Sequence, residues 1–185
     1  MSSQSLKEKY YKVVIPAIRK ELKLSNDLAV PAIVKVVVNT GFSDLKDKDL
    51  KEQTEKDFWT ITGQKPVFKK ARKSIAGFKI REGQEIGMAV TLRGSKMWDF
   101  IERFVGVTLP RVRDFRGISE KSFDSQGNLT IGVRESIVFP EIDPEKSPKS
   151  FSLEATIVMN KTDRLMNIGV LKALGFPIKE EDEDA

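Results

Sequence analysis

Residues 86–105 read IGMAVTLRGSKMWDFIERFV, and the period of their apolar positions changes once, around Arg93 and Gly94. Before that point Ile86, Met88, Val90 and Leu92 alternate with Gly87, Ala89, Thr91 and Arg93, the period of two that a half-buried strand requires. After it Met97, Phe100, Ile101, Phe104 and Val105 fall at i, i+3, i+4, i+7 and i+8, one stripe of a helix that Ser95 can cap and Pro110 ends. Strands and helices that are each apolar on one side must bury those sides against each other.

The same two periods recur along the chain. In residues 33–39, Val34, Val36 and Val38 share one face of a strand, with Lys35, Val37 and Asn39 on the other. Residues 66–70 form a short strand, residues 129–133 another, and residues 151–158 a third with Phe151, Leu153, Ala155 and Ile157 inward. Helical spacing predicts residues 6–22, through Leu6, Tyr10, Val13, Val14 and Ala17, with Ser5 as cap and Pro16 either kinking the helix or starting a new one. It also predicts 47–62, through Leu50, Thr54, Phe58 and Ile61 with Gly63 as the stop, and 163–174, capped by Thr162 and stopped by Gly175. Trp59 and Trp98 fall on helices and read as core or near-core residues, and Gly127-Asn128 marks a turn. Because these elements intermix without regular βαβ repetition, the fold class is α+β: an antiparallel sheet with helices packed on one face and a long basic loop between two strands. The other sheet face is then free to bind.

Composition narrows the function. At 185 residues the chain suits one domain, residues 1–178, followed by an acidic, disordered tail at 179–185 with the sequence KEEDEDA. The whole chain carries +5, but residues 1–178 hold 31 Lys and Arg against 22 Asp and Glu, a net +9. Such a field attracts phosphate polymers, so nucleic acid is the leading partner class. There is no cysteine and no histidine, which removes disulfides, thiolate nucleophiles and most zinc sites. Glu82 with Glu85, or Glu135 with Glu141, have no nucleophile or metal cluster to work with, so neither catalytic residues, nor a metal, nor a cofactor is expected. The first residues, MSSQSLKEKYYK, lack the apolar core of a secretory signal, and no stretch is long enough to span a membrane. The expected setting is soluble, reducing and cytoplasmic.

The charge concentrates in one place. Residues 63–81, GQKPVFKKARKSIAGFKIR, hold Lys65, Lys69, Lys70, Arg72, Lys73, Lys79 and Arg81 and no acid. Residues 71–85 separate two strands, and a connection of that length inside a compact domain is a functional loop or a disordered one; a mobile binding loop is the preferred reading. Phe78, between Gly77 and Lys79, either stacks on a base or anchors the loop to the domain. The outward residues Asn39, Thr91 and Arg93 fit a solvent-facing sheet, and equally a surface that reads RNA shape and 2′-hydroxyls. A general RNA chaperone stays open as the alternative to a specific RNA binder.

The run ITGQKPVFKKARKSIAGFKIREGQEIGMAVTLRGSKMWDFIERF, with LPRVRDFRGISEKSFDSQGN and VRESIVFPEID after it, closely resembles the bacterial-type family of large-subunit ribosomal protein L five. The resemblance extends over about residues 5–178 and includes KYY, VPAIVKVVVNTG and KALGFP. It implies an α+β protein of the central protuberance that binds 5S rRNA and other large-subunit rRNA. It places rRNA contacts at Asn39, Gln64, Thr91 and Arg93, to which the basic connection adds Arg111, Arg113 and Arg116. It also implies that the loop meets peptidyl-site tRNA through Lys70, Arg72, Lys73, Ser74, Gly77, Phe78, Lys79 and Arg81. The segment after FPEI implies a bridge to neighbouring ribosomal proteins of the small-subunit head, though here it is DPEKSPKS, shorter than the family's usual segment. GFSDLKDK after the first strand and the final EEDEDA also depart from the family pattern.

Overall fold

The alternating segments form strands and the 3.6-period segments form helices, and a computed structural model describes residues 5–42, 48–145, 147 and 150–179. In chain order the elements are α1 (Leu6–Lys9), a π-turn (Tyr10–Val14), α2 (Ile15–Glu21), β1 (Ile33–Gly41), α3 (Lys48–Thr62), β2 (Val67–Lys70) and β3 (Glu85–Leu92). There follow α4 (Gly94–Arg103), a second π-turn (Phe104–Thr108), α5 (Leu109–Arg111), β4 (Leu129–Val133), β5 (Leu153–Met159) and α6 (Arg164–Leu174). The start expected at Asp47, part of residues 143–150, and residues 180–185 of the tail lie outside the described residues.

The five strands form one sheet in the order β2-β3-β1-β5-β4, antiparallel at every pairing. Val36 and Val38 of β1, Met88, Val90 and Leu92 of β3, Leu129 and Val133 of β4, and Leu153, Ala155 and Ile157 of β5 are buried on one face. They join one core cluster with Tyr10, Val14 and Ile18 of the first helical run, Phe58 and Ile61 of α3, Phe100 and Ile101 of α4, and Leu171 and Leu174 of α6. Val34 departs from the alternation and is 40% exposed. The register slips between Ile33 and Lys35, so Val34 is the extra residue of a β-bulge and turns away from the core.

Two prolines lie within continuous helical runs. A helix-interior proline loses a hydrogen bond and its ring clashes with the carbonyl four residues back. Here the π-turn at Tyr10–Val14 precedes Pro16, and the one at Phe104–Thr108 precedes Pro110 at the same offset. The wider turn makes room for each ring, and each proline sits in the first turn of a new α segment. Pro110 therefore does not end its helix, which runs on to Arg111. Along the first run the buried residues are Tyr10, Val14 and Ile18, while Val13 is 49% exposed. The Tyr10 hydroxyl donates to the Pro31 carbonyl at 2.9 Å, and burial, aided by neighbouring Tyr11, pushes its phenol up to about 12.

Caps explain the ends. Ser5 accepts from the Glu8 amide as anticipated, and Gly63 and Gly175 close α3 and α6 at φ of 65° and 106°. Ser95 does not cap α4, which opens at Gly94 without a side-chain cap. Asp163, not Thr162, caps α6 by accepting from the Met166 amide. Trp98 is buried against Tyr10, but Trp59 is 49% exposed, because α3 turns Thr54, Phe58, Ile61 and Thr62 inward.

The turn entering β4 depends on Asp124. Burial would raise this carboxyl, but the Asn128 side chain and the Asn128 and Gln126 amides donate to it and hold it below its ordinary 3.8. The lowered value stabilises the fold at pH above the unfolded pKa, and that stabilisation is lost as pH falls through the folded one. In denaturant titrations from pH 7 to pH 2, the stability gap between the wild-type protein and Asp124→Asn should be widest near neutrality and close below about pH 4. Gly87 faces Gly41 across the β1–β3 ladder, where a Cβ would run into the Thr40 carbonyl oxygen. Gly87→Ala should cost about 1–3 kcal/mol in the same titrations.

Candidate nucleic-acid interface

The second face of the sheet is open. Its residues form rows across the strands, set by the registers. One row crosses all five strands: Val67, Ala89, Asn39, Glu154 and Gly132. The next holds Thr91, Val37, Thr156 and Thr130, with the two β4–β5 hydroxyls 3.1 Å apart. At about 4.8 Å per strand spacing, the face is roughly 20 Å wide. Most of these side chains are small and uncharged, so a ligand backbone can approach the sheet closely. The helices named above all contribute to the core on the opposite side.

The polar groups singled out in the sequence gather here. Asn39 lies on the central strand, and its Nδ2 donates to Glu154 Oε2 at 3.1 Å. Thr91 is exposed one row away, and the half-buried Gln64, just past α3, reaches the Thr91 carbonyl with Nε2 at 3.5 Å. Arg93, just past β3, reaches the Val34 carbonyl at 3.5 Å, so the backbone at the bulge helps seat it. Of the three arginines from the end of α5 onward, Arg113 lines a hollow with Gly132, Val133 and Arg134 at the β4 end of the face. Arg111, the last residue of α5, and Arg116, on the connection after it, are both exposed. Arg134 was not singled out in the sequence, yet it lines a second hollow with Asn39, Gly132 and Glu154. Extending the β4 alternation by two residues past Gly132 would have found it.

The basic connection between β2 and β3 is an extension of their hairpin with its own hydrogen bonds. Ile75 and Ile80 exchange both backbone bonds, at 2.9 and 3.1 Å, around a 3₁₀ turn at Ala76–Phe78 that ends with Lys79 at φ 54°. Ser74 accepts from the Glu82 amide at 2.9 Å, and Ala71 is bonded to Gln84 and Gly83 at the base. Lys70, Arg72, Lys73, Ser74, Gly77, Lys79 and Arg81 are all exposed on this finger. Phe78 is 74% exposed, so it does not anchor the finger to the domain.

Two of the carboxylates considered for acid–base work have other partners. Glu85 faces Lys51 at 3.8 Å, and Glu141 pairs with Arg103, whose second nitrogen donates to the Ile61 carbonyl at 3.1 Å. Glu141 thus ties the segment at 139–142 to α3 and α4, a structural duty.

Comparison with known proteins places the chain in a family. The family model described as ribosomal protein L5 matches residues 26–81, and the model for the C-terminus of the same ribosomal family matches residues 85–178. The two matches meet at the finger, although β2 and β3 pair in one sheet. The chain is 47% identical over 176 residues to the large ribosomal subunit protein uL5 of Streptomyces coelicolor, covering 95% of each. It is 48% identical over 176 residues to that of Acidobacterium capsulatum, covering 95% of this chain and 97% of the relative. For that of Chloroflexus aggregans the identity is 46%, covering 95% and 98%. With both halves matched and nearly the full length aligned, the chain belongs to the ribosomal protein L5 family and is a structural, non-enzymatic constituent of the large ribosomal subunit.

Proposed function

We propose that the open sheet face binds 5S rRNA in the central protuberance and that the basic finger contacts peptidyl-site tRNA. The observation that carries this reading is the uncovered face itself: two rows of small polar and apolar side chains, with cations placed around them and not on them. Such a surface suits RNA recognition through shape and 2′-hydroxyls, with phosphates met at the margins. Asn39, Gln64, Thr91 and Arg93 supply the polar contacts, and Arg111, Arg113 and Arg116 extend the rRNA surface. The finger places its charge and the exposed Phe78 where a second RNA can be met without competing for the sheet. The segment after Ile142 contributes to a bridge with the small-subunit head.

The purified protein should bind 5S rRNA in preference to unrelated RNAs at matched salt, and equal binding to all of them would favour a general RNA chaperone. Replacing Asn39, Gln64 and Thr91 together by alanine should cost about 2–4 kcal/mol, roughly 30- to 1,000-fold in Kd by filter binding. Full affinity in that variant would sink the site assignment.

Neutralising Lys70, Arg72, Lys73, Lys79 and Arg81 should leave 5S rRNA affinity and its salt slope nearly unchanged while weakening tRNA engagement in reconstituted ribosomes. Each 5S rRNA phosphate deprived of its cation would lower the slope by about 0.7–0.9, so a drop of several units would place the finger on 5S rRNA instead.

A further inference from the structure

A carboxylate stands in the central row of a face read as a polyanion's binding surface. Glu154 is exposed there, beside Asn39 on one strand and Gly132 on the next. Among the described residues it has no ion pair, and its one side-chain partner is the Asn39 amide. Like charges about 4 Å apart repel by about 1 kcal/mol even in bulk water, and more as a docking ligand excludes water. A phosphate over this row is therefore disfavoured. A hydrogen-bond donor can.

The surroundings fit a donor. The Asn39–Glu154 bond uses Nδ2 and Oε2, so Asn39 Oδ1 and Glu154 Oε1 remain unpaired acceptors among the described residues. Gly132 bears no side chain, and open space lies where a Cβ would point, so a ribose can come close to the sheet at this spot. Arg134 shares the hollow with Asn39, Gly132 and Glu154, and the adjoining hollow adds Arg113, with Asp114 and Glu135 also on its wall. Neither arginine is ion-paired among the described residues, so both are available to phosphate.

We infer that Glu154 is a specificity-determining residue of the sheet face: its carboxylate accepts a hydrogen bond from a donor on the bound RNA, a ribose 2′-hydroxyl or a base amino group, while Arg134 and Arg113 hold that strand's phosphates. The inference rests on the reading of the sheet as the 5S rRNA surface. A 2′-hydroxyl both donates and accepts and is absent from DNA, so an acceptor here separates the two polymers. An amino group would instead read base identity.

The test uses the full chain and a 5S rRNA transcript across a salt series. If the wild-type protein shows no preference for 5S rRNA, the sheet-face function itself fails, whatever Glu154 does. Where the wild type binds, Glu154→Ala should weaken affinity about tenfold or more, as expected for losing a bond to a charged acceptor, with the salt slope unchanged. Glu154→Gln, which keeps an acceptor oxygen, should lose less. Unchanged or tighter binding by Glu154→Ala would show a carboxylate that the RNA does not use and overturn the inference. Interference mapping then separates the sources. Positions where a 2′-deoxy substitution harms the wild type but not Glu154→Ala identify a hydroxyl, and positions where inosine does so identify a guanine amino group. A map with neither kind of position also overturns the assignment.

Discussion

Everything in this fold depends on β1 keeping its register. It is the only strand of the described sheet bonded to two others that are themselves bonded outward, so both halves of the sheet hang from it. Because side chains alternate strictly, a slip of one residue would send Val36 and Val38 to solvent and Val37 and Asn39 into the core. The bulge at Val34 confines the one irregularity to the end of the strand. At the other end Thr40 is buried and its hydroxyl donates to the Ser152 carbonyl, which fixes β1 against the approach to β5.

The helical layer is held to that register by polar ties as well as by the core. Asp57 on α3 accepts from Gln53 and from Ser147, and Arg103 on α4 bonds the Ile61 carbonyl and pairs with Glu141. Through Ser147 and Glu141 these ties join the helices to the segment leading into β5. The π-turns serve the same layer. They let Pro16 and Pro110 stay inside helical runs, so that Val14 and Phe104 within the wide turns and Ile18 and Leu109 beyond them all remain buried.

How much of this was legible in the sequence follows from how local each cause is. The strands β2 to β5 and helices α3, α4 and α6 follow from periodicity, and the glycine stops follow from backbone conformation alone. The outward set Asn39, Thr91 and Arg93 also follows from alternation. What escaped depends on partners distant in the chain. The bulge that expels Val34 is visible only in its pairing with Met159 and Val158. A proline read locally ends a helix, and only the wide turn before it allows the helix to continue. The acceptor at Glu154 gained meaning only when the register set it beside Asn39, 115 residues away in sequence. Phe78 could be placed in the finger from sequence, but not its exposure, because nothing local distinguishes a stacking ring from an anchoring one.

The finger and the face present charge in opposite ways, for one reason. A flat sheet bearing lysines would have to strip water from each of them before RNA could lie close, and burying a charge without a well-placed partner is costly. The face instead carries neutral groups in its middle rows, Glu154 excepted. On the finger, Lys70, Arg72, Lys73, Lys79 and Arg81 have no ion pairs among the described residues, whereas Lys65, before β2, faces Glu55. With no acid between Gly63 and Arg81, these cations have nothing in their own segment to fold back upon. Shape comes instead from the Ile75–Ile80 backbone bonds and the Ser74 hydroxyl. Holding a loop with backbone hydrogen bonds leaves its side-chain charges exposed and uncommitted to partners within the fold.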